Sequence, residues 1–368
     1  MSHRTPLADA HAALGATFTD FAGWSMPVRY DSDLAEHHAV RTSAAVFDLS
    51  HMGEVRVAGP QAAAALDAAL VGRPSAMAVG RAAYGMVVDD DGGILDDLVT
   101  YRLAEQDFLV VANASNVAVV VAELLARTRG FDATVVDETD ATALVAVQGP
   151  ASAGVLGPLV DVDLAALRYY RCAPARLTTA AGALDVLLAR TGYTGEDGFE
   201  VFTASADAVP AWEALLAATR AAGGVPAGLA CRDTLRLEAG MPLYGHELSR
   251  AVDPFSVGLG RVVTLDKPAG TVGLAALQAL SRRTPARALV GLEGSGRRAP
   301  RAGYAVVADG AVVGEVTSGA LSPTLGHPVA MALVDADRIA PGTVLGVDVR
   351  GTVLPVEVVE LPFYRRAR

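Results

Sequence analysis

The chain has few cysteines, few aromatics and little positive charge. Cys172 and Cys231 are its only cysteines in 368 residues, with no CxxC spacing. A disulfide framework and a cysteine-built zinc site are thereby excluded, and a reduced compartment fits. Aromatic residues make up 5% and charged residues 19%. Lysine and arginine number 30 against 41 acidic residues, a net charge of -11, which argues against general nucleic-acid binding. Arg282–Arg283, Arg297–Arg298 and the tail arginines 365, 366 and 368 read as solvated faces. The longest apolar run, Val117–Ala126, is interrupted by Glu123 and too short to span a bilayer. Met1–Pro6 carries no apolar core or cleavage signature, so a soluble cytoplasmic protein with no membrane partner is expected. Nucleophile elbow, Walker loop and dinucleotide fingerprint are all missing, and nothing points to covalent catalysis. No tandem repeat or low-complexity linker is visible.

What is present is a core-forming chain, 52% hydrophobic and long enough for two or three domains. Leu34–Arg41 reads as a helix and Val46–Val57 as one extended segment. Met86–Asp89 and Ile94–Leu103 read as strands joined by Asp90-Asp91-Gly92-Gly93, a hairpin signal. Phe108–Asn113, a helix capped by Ser115 and stopped at Gly130, and Ala133–Val136 complete an α+β unit of ferredoxin-like order. Ala143–Gln148, Leu184–Arg190 and Phe199–Thr203 are further strands, and Asp207–Ala222 and Arg232–Ala239 further helices. From about Thr284, six short strands broken by Gly and Pro predict a small all-β module.

One loop stands out. Thr191–Glu200 reads Thr-Gly-Tyr-Thr-Gly-Glu-Asp-Gly-Phe-Glu. Its three glycines admit close approach by something planar or bulky. It has no phosphate-binding lysine, and Glu196 and Asp197 would repel an anion, so a neutral or donor-rich heterocycle is expected. On the hairpin, alternation sends Asp96 and Asp97 to opposite faces, Asp97 with Leu95, Val99 and Tyr101. Burying a carboxylate is costly unless it is paired, so these aspartates serve either a pocket or a buried partner. Arg232 and Arg236 are one helical turn apart. They suit carboxylate recognition or an internal network with Asp233 and Glu238. His37, His38, His51 and His246 fit no zinc pattern, so no metal is expected. His51 itself reads as a hydrogen-bonded core histidine.

Thr5–Leu7, Phe21–Trp24, Glu36–Arg41, Phe47–Met52, Gly92–Leu98, Val147–Pro150, Thr191–Glu200, Arg232–Gly245 and Thr317–Thr324 occur in order along the chain. Together they resemble the aminomethyltransferase (T-protein) family of the glycine cleavage system. The resemblance implies transfer of a methylene carbon from an aminomethyl group on a lipoylated carrier protein to tetrahydrofolate, releasing ammonia and giving 5,10-methylenetetrahydrofolate. It implies an α+β, three-domain cloverleaf around a folate channel. Residues 1–50 with part of 140–280 would form a discontinuous first lobe. Residues 51–140 with part of 165–245 would form a ferredoxin-like lobe carrying the site, and 284–368 a C-terminal β-barrel. By resemblance, Asp97 is the essential acidic residue beside the folate nitrogens, and Glu196 anchors the pterin. Arg232 contacts pterin or substrate. Asn113, Tyr84, Met52, Tyr101, Tyr193 and Tyr244 line the pocket, and Arg365 reaches it from the C-terminus.

Two other readings share this scaffold. One is a folate-dependent demethylase acting on a small methylated donor, with no lipoyl partner. The other is a folate-binding iron–sulfur assembly factor, whose glycine loop typically carries a cysteine; Thr191–Gly198 has none.

Overall fold

A computed structural model describes residues 2–268 and 270–367; Met1, Ala269 and Arg368 lie outside the described residues. The chain divides into two compact units. The first comprises residues 1–69, 73–85 and 98–233, and the second 70–72, 86–97 and 234–368.

The first unit begins with a small sheet of β1 (His3–Arg4), β2 (Thr17–Phe21) and β3 (Trp24–Arg29), with α1 (Ala8–Ala13) between the first two strands. Helix α2 (Asp33–Thr42) starts where the Ser32 side chain accepts from the Ala35 N–H. The segment expected as one strand from Val46 to Val57 is instead two, β4 (Ala45–Asp48) and β5 (Gly53–Ala58), in different sheets. Asp48 breaks it: its carboxylate accepts from Ser50 N at 2.9 Å, and Met52 N then turns back onto Leu49 O at 2.9 Å. Asp48 also accepts from Thr5 and bonds His11, whose other ring nitrogen meets the Tyr30 hydroxyl, pinning the N-terminal segment.

After β5 come α3 (Ala62–Ala69), β6 (Ala82–Val88), β7 (Ile94–Ala104), β8 (Asp107–Ala112), α4 (Val117–Arg127) and β9 (Thr134–Asp137). The sheet order is β6-β7-β8-β5-β9, which is ferredoxin-like order with β6 added at the edge. The helix cap is Asn116, not Ser115, because Ala114–Asn116 close a 3-10 turn first. Strand β6 starts at Ala82, ahead of the expected Met86.

Then β10 (Thr142–Gln148), α5 (Ser152–Leu156), β11 (Cys172–Thr179), β12 (Gly182–Ala189), β13 (Gly198–Ala204), α6 (Ala208–Ala221) and β14 (Val225–Pro226) give the order β11-β12-β13-β10-β4-β14. The expected pattern missed β11; it is an edge strand, which tolerates Pro174. The two sheets are built alike, so the chain does contain a repeat. Val57-Ala58-Gly59-Pro60 answers to Val147-Gln148-Gly149-Pro150, and buried Phe108, Val110 and Leu124 answer to buried Phe199, Val201 and Leu215. Both corner glycines hold positive φ, 137° at Gly59 and 132° at Gly149. The second sheet packs with α5 and α6 around Val145, Val147, Leu188, Val201, Trp212 and Leu215.

Helix α7 (Leu229–Glu238) begins in the first unit and ends in the second. The second unit holds α8 (Leu274–Leu280) and a closed barrel of β15 (Arg287–Gly294), β16 (Ala305–Ala308), β17 (Ala311–Leu321), β18 (Pro328–Asp335), β19 (Val344–Val349) and β20 (Thr352–Val359). Barrel order is β15-β18-β17-β16-β19-β20, around a valine-rich core that includes Val306, Val316, Val334 and Val347. All six expected strands are present, and β17 continues beyond the expected Val316 to Leu321, past a register shift between Val316 and Ser318. No helix among the described residues is long and apolar enough to cross a membrane.

At Gly149 an added Cβ would sit 2.4 Å from Ser43 O and 2.8 Å from the Ala44 Cα, on backbone that L side chains avoid. Gly149→Ala is therefore expected to lower unfolding free energy by about 2 kcal/mol or more in denaturant titration. A change within about 0.5 kcal/mol, the range of an ordinary surface substitution, contradicts this.

Candidate functional site

The glycine-rich loop joins β12 to β13, and a side chain from the neighbouring strand β10 shapes it. Gln148 is buried, its Nε2 donates to Thr191 O at 3.1 Å, and Thr194 Oγ1 donates to its Oε1 at 2.9 Å. A Cβ on Gly192 would lie 2.0 Å from Gln148 Oε1, and one on Gly198 would lie 2.2 Å from its Nε2. The planar group those two glycines admit is therefore the protein's own glutamine amide, not a ligand. Gly195 serves the backbone instead, since at φ 81° it makes a turn that other residues resist.

That turn sets the two acidic residues to separate work. Asp197 is clamped by Arg190, Nε to Oδ1 at 2.9 Å and Nη2 to Oδ2 at 2.6 Å, while Arg190 Nη1 donates to Leu164 O and Leu167 O. This is a structural fork. Glu196 is different: its Oε1 accepts from Arg41 Nη1 at 2.9 Å, and the same nitrogen donates to Thr194 O at 2.7 Å. The two side chains are only 5% and 4% exposed, so the pair is desolvated and its geometry is fixed. An ionised carboxylate has about four lone-pair sites, so Arg41 leaves acceptor capacity on Glu196.

Tyr101 reaches the loop's base. Its hydroxyl lies 3.2 Å from Thr191 Oγ1 and donates to Glu200 Oε2 at 3.1 Å, and Thr191 donates to the same oxygen. Burial, reinforced by Glu200, holds the Tyr101 hydroxyl well above its ordinary pKa. Tyr101 thus braces the loop, with 1% of its surface exposed.

Arg232 is positioned from the other side. Glu36 on α2 accepts from Tyr30 N at 2.7 Å and from Gly228 N at 2.9 Å, fixing the chain just before α7. The Arg232 guanidinium then lies 4.8 Å from the centroid of the Tyr193 ring, a cation–π contact. Its helical neighbour Arg236 belongs to the second unit and is buried on Glu247 and Ser318. Glu238 is taken by Ser322 and Thr324.

Of the other expected site residues, Met52 follows the Asp48 turn, Tyr84 lies on β6, and Asn113 starts the 3-10 turn after β8; all three are half-buried in the first unit. Asp97, Tyr244 and Arg365 belong to the second unit. Asp97 is half-buried on β7 while Asp96 is wholly buried, so the alternation separates them as expected. Tyr244 packs at the edge of a cluster with Leu248 and Val252, and Arg365 is exposed. Cys172 and Cys231 are buried and form no disulfide; burial pushes the Cys172 thiol up to about 11. Arg41 and Gln148 were not foreseen, although both sit in stretches carrying the family resemblance. His51 is buried as expected, but its Nδ1 has no hydrogen-bond partner.

Known proteins share this arrangement. Residues 7–267 match the GCVT N-terminal domain and residues 287–365 the glycine cleavage T-protein C-terminal barrel domain. An α+β GCVT region followed by its barrel is therefore the class of protein. The aminomethyltransferase of Saccharopolyspora erythraea is 59% identical, with 99% of this chain and 98% of that protein covered. That of Streptomyces avermitilis is 60% identical over the same shares, 99% and 98%. The crystal structure of glycine cleavage system aminomethyltransferase T from Bartonella henselae superposes with a TM-score of 0.90 at 34% identity, covering 99% of this chain and 98% of that one. The chain belongs to the aminomethyltransferase family of transferases, the T-proteins of glycine cleavage.

A second buried acid lies near the loop. Glu54 on β5 is fully buried, and neither carboxylate oxygen has a hydrogen-bond partner. Burial raises its pKa well above the usual range, and Asp137, Asp48, Glu200 and Glu138 add to the effect. With the folded pKa raised, Glu54 contributes its full stability below the unfolded value near 4.5, and loses it as pH rises toward the folded pKa. Glu54→Met removes a stability slope of up to about 1.4 kcal/mol per pH unit. The variant should gain on the wild type in thermal denaturation as pH rises above about 4.5, and parallel profiles contradict this.

Proposed function

We infer that the chain transfers the methylene carbon of an aminomethyl group, carried on the dihydrolipoyl sulfur of a carrier protein, to tetrahydrofolate, with release of ammonia. The observation that carries the reading is the Glu196 carboxylate, fixed by Arg41 on a loop stapled by Gln148, in a chain of this family. Tetrahydrofolate is the co-substrate, and its pterin edge is rich in N–H donors. Glu196 retains acceptor sites for those donors, and the Arg232–Tyr193 stack supplies a flat, polarised wall. These residues fit the ligand.

In this reading Glu196 orients the heterocycle, and Met52, Tyr84, Asn113, Tyr193 and Tyr244 enclose it. Asp97 holds the accepting amine in attack geometry and stabilises the positive charge that develops as the carbon leaves sulfur or nitrogen. Arg41 holds the Glu196 carboxylate in one place, while a half-buried Asp97 acts where water is partly excluded. Arg365 is assigned to folate binding from the C-terminal tail. The three-lobe division, with 284–368 as the third lobe, is supported by the barrel's own hydrophobic core. A cytoplasmic setting is supported by two buried cysteines that form no disulfide.

Two substitutions separate the roles. Asp97→Asn should lower turnover by about a hundredfold or more while leaving reduced-folate affinity within a few-fold. Glu196→Gln should weaken reduced-folate binding by about tenfold or more, the cost of a charge-assisted hydrogen bond. The assay is ammonia release from glycine in the reconstituted system with lipoylated carrier. Near-normal turnover by Asp97→Asn contradicts its assignment. Folate-dependent turnover of a methylated amine without carrier would instead identify a demethylase.

A further inference from the structure

The barrel carries a cleft of about 400 Å³ whose lining includes Arg298, Arg301, Tyr304, Val349, Arg350 and Thr352, all within the second unit. Three guanidinium-bearing side chains face one small space, and no acidic residue lines it. Elsewhere on the barrel, Arg287 is paired with Asp335 and Arg338 with Asp309. Among the described residues, Arg298, Arg301 and Arg350 make no such pair, and all three are exposed. Like charges gathered without counter-ions repel one another. In a chain of net charge -11 this cleft is a local reversal of the field.

Backbone contacts fix both walls. Arg301 opens a tight turn in which Tyr304 N donates to Arg301 O at 3.1 Å, with Gly303 at φ 82°. Gly303 N donates to Val316 O at 2.8 Å, which ties that turn to β17, and the Tyr304 ring packs on the barrel core. On the other wall, Val349 pairs with Thr352 across the two-residue turn Arg350-Gly351, at φ 56° and 83°. Asp348 is committed to this turn, its Oδ1 accepting from Gly351 N at 2.6 Å. Turns with two positive φ values favour Asn-Gly or Asp-Gly. The β16–β17 turn of the same barrel obeys, with Asp309-Gly310 at 52° and 80°. Arg350 instead holds a conformation that a long side chain resists, and strain kept at a cleft wall points to a use for that side chain.

We propose that this cleft is a binding site for a phosphate-bearing small molecule. Arg298, Arg301 and Arg350 supply the charge, and the Tyr304 and Thr352 hydroxyls are further donors. A carboxylate has two oxygens in one plane and matches a single guanidinium fork. A phosphoryl group presents oxygens in several directions, so it can meet forks arriving from two separate turns. The volume suits a small molecule, since such pockets span roughly 300–1,000 Å³. The site is independent of the folate reading, because none of its residues is assigned a part in the transfer.

The test is calorimetric titration of the full chain with pyrophosphate at about 0.15 M salt, where diffuse surface attraction is screened. The wild type should bind with a Kd of about 1 mM or tighter, and about fivefold or more tighter than citrate, a carboxylate probe of similar charge. Arg350→Asn should weaken pyrophosphate binding by about tenfold or more. The same change should raise the unliganded melting temperature by about 1 °C or more, because Asn-Gly suits the turn. Arg301→Lys keeps the charge and loses the fork, and should weaken binding by about threefold or more. Wild-type affinity in Arg350→Asn overturns the proposal. So does wild-type affinity in Arg301→Lys, which would mean attraction by charge alone. Binding of a hexaglutamate peptide as tight as that of pyrophosphate would assign the cleft to an acidic protein segment and overturn it as well. Failure of pyrophosphate to bind overturns this site and leaves the folate reading untouched.

Discussion

The Gln148 amide, wedged between two glycines of another strand connection, is the contact on which the site depends. Its two hydrogen bonds tie Thr191 and Thr194, which bracket Gly192 and Tyr193, to strand β10. With those points fixed, the turn at Gly195 delivers Asp197 to Arg190 and Glu196 to Arg41. The glycines, the two hydroxyls and the acidic pair are then consequences of one packing solution. Any side chain larger than hydrogen at 192 or 198 would expel the amide and leave its polar atoms and those of the loop to find new partners.

The internal repeat shows what was added to make a site. Both copies share the strand–helix–strand order and the Gly-Pro corner at the first strand's end. In the first copy, β7 and β8 are joined by the short Glu105-Gln106 turn, and Ala58 stands just before the corner glycine. In the second copy that turn is replaced by residues 190–197, and Gln148 takes the place of Ala58. The longer loop and the glutamine that packs it occur in the same copy, as the wedge geometry requires. A plain hairpin needs no amide; a long glycine-rich loop held in one shape does.

Much of this could be read from residue order. The barrel strands, the β7 alternation that parts Asp96 from Asp97, and the singular character of Thr191–Glu200 all follow from local pattern, and local pattern is what a sequence displays. The rest is long-range. Arg41 and Glu196 are 155 residues apart, and Gln148 and Thr194 are 46 apart, so no spacing rule links them. The glycines were legible as places of close approach, but the approaching group was not. The break after Asp48 was hidden because both flanking segments read as extended and the turn depends on a single carboxylate. The N-cap moved from Ser115 to Asn116 because a 3-10 turn intervened, a tertiary choice between two residues of similar capping ability. The repeat was missed because its matching residues are few and scattered over long stretches of the chain.

The most direct test is a crystal structure of the protein with tetrahydrofolate bound. Pterin N–H donors should lie within about 2.7–3.2 Å of the Glu196 carboxylate, with Arg41 still paired to it and the Gln148 amide still seated between Gly192 and Gly198. A pterin bound away from Glu196, or a loop that expels Gln148 to admit the ligand, would contradict the central role given to this loop.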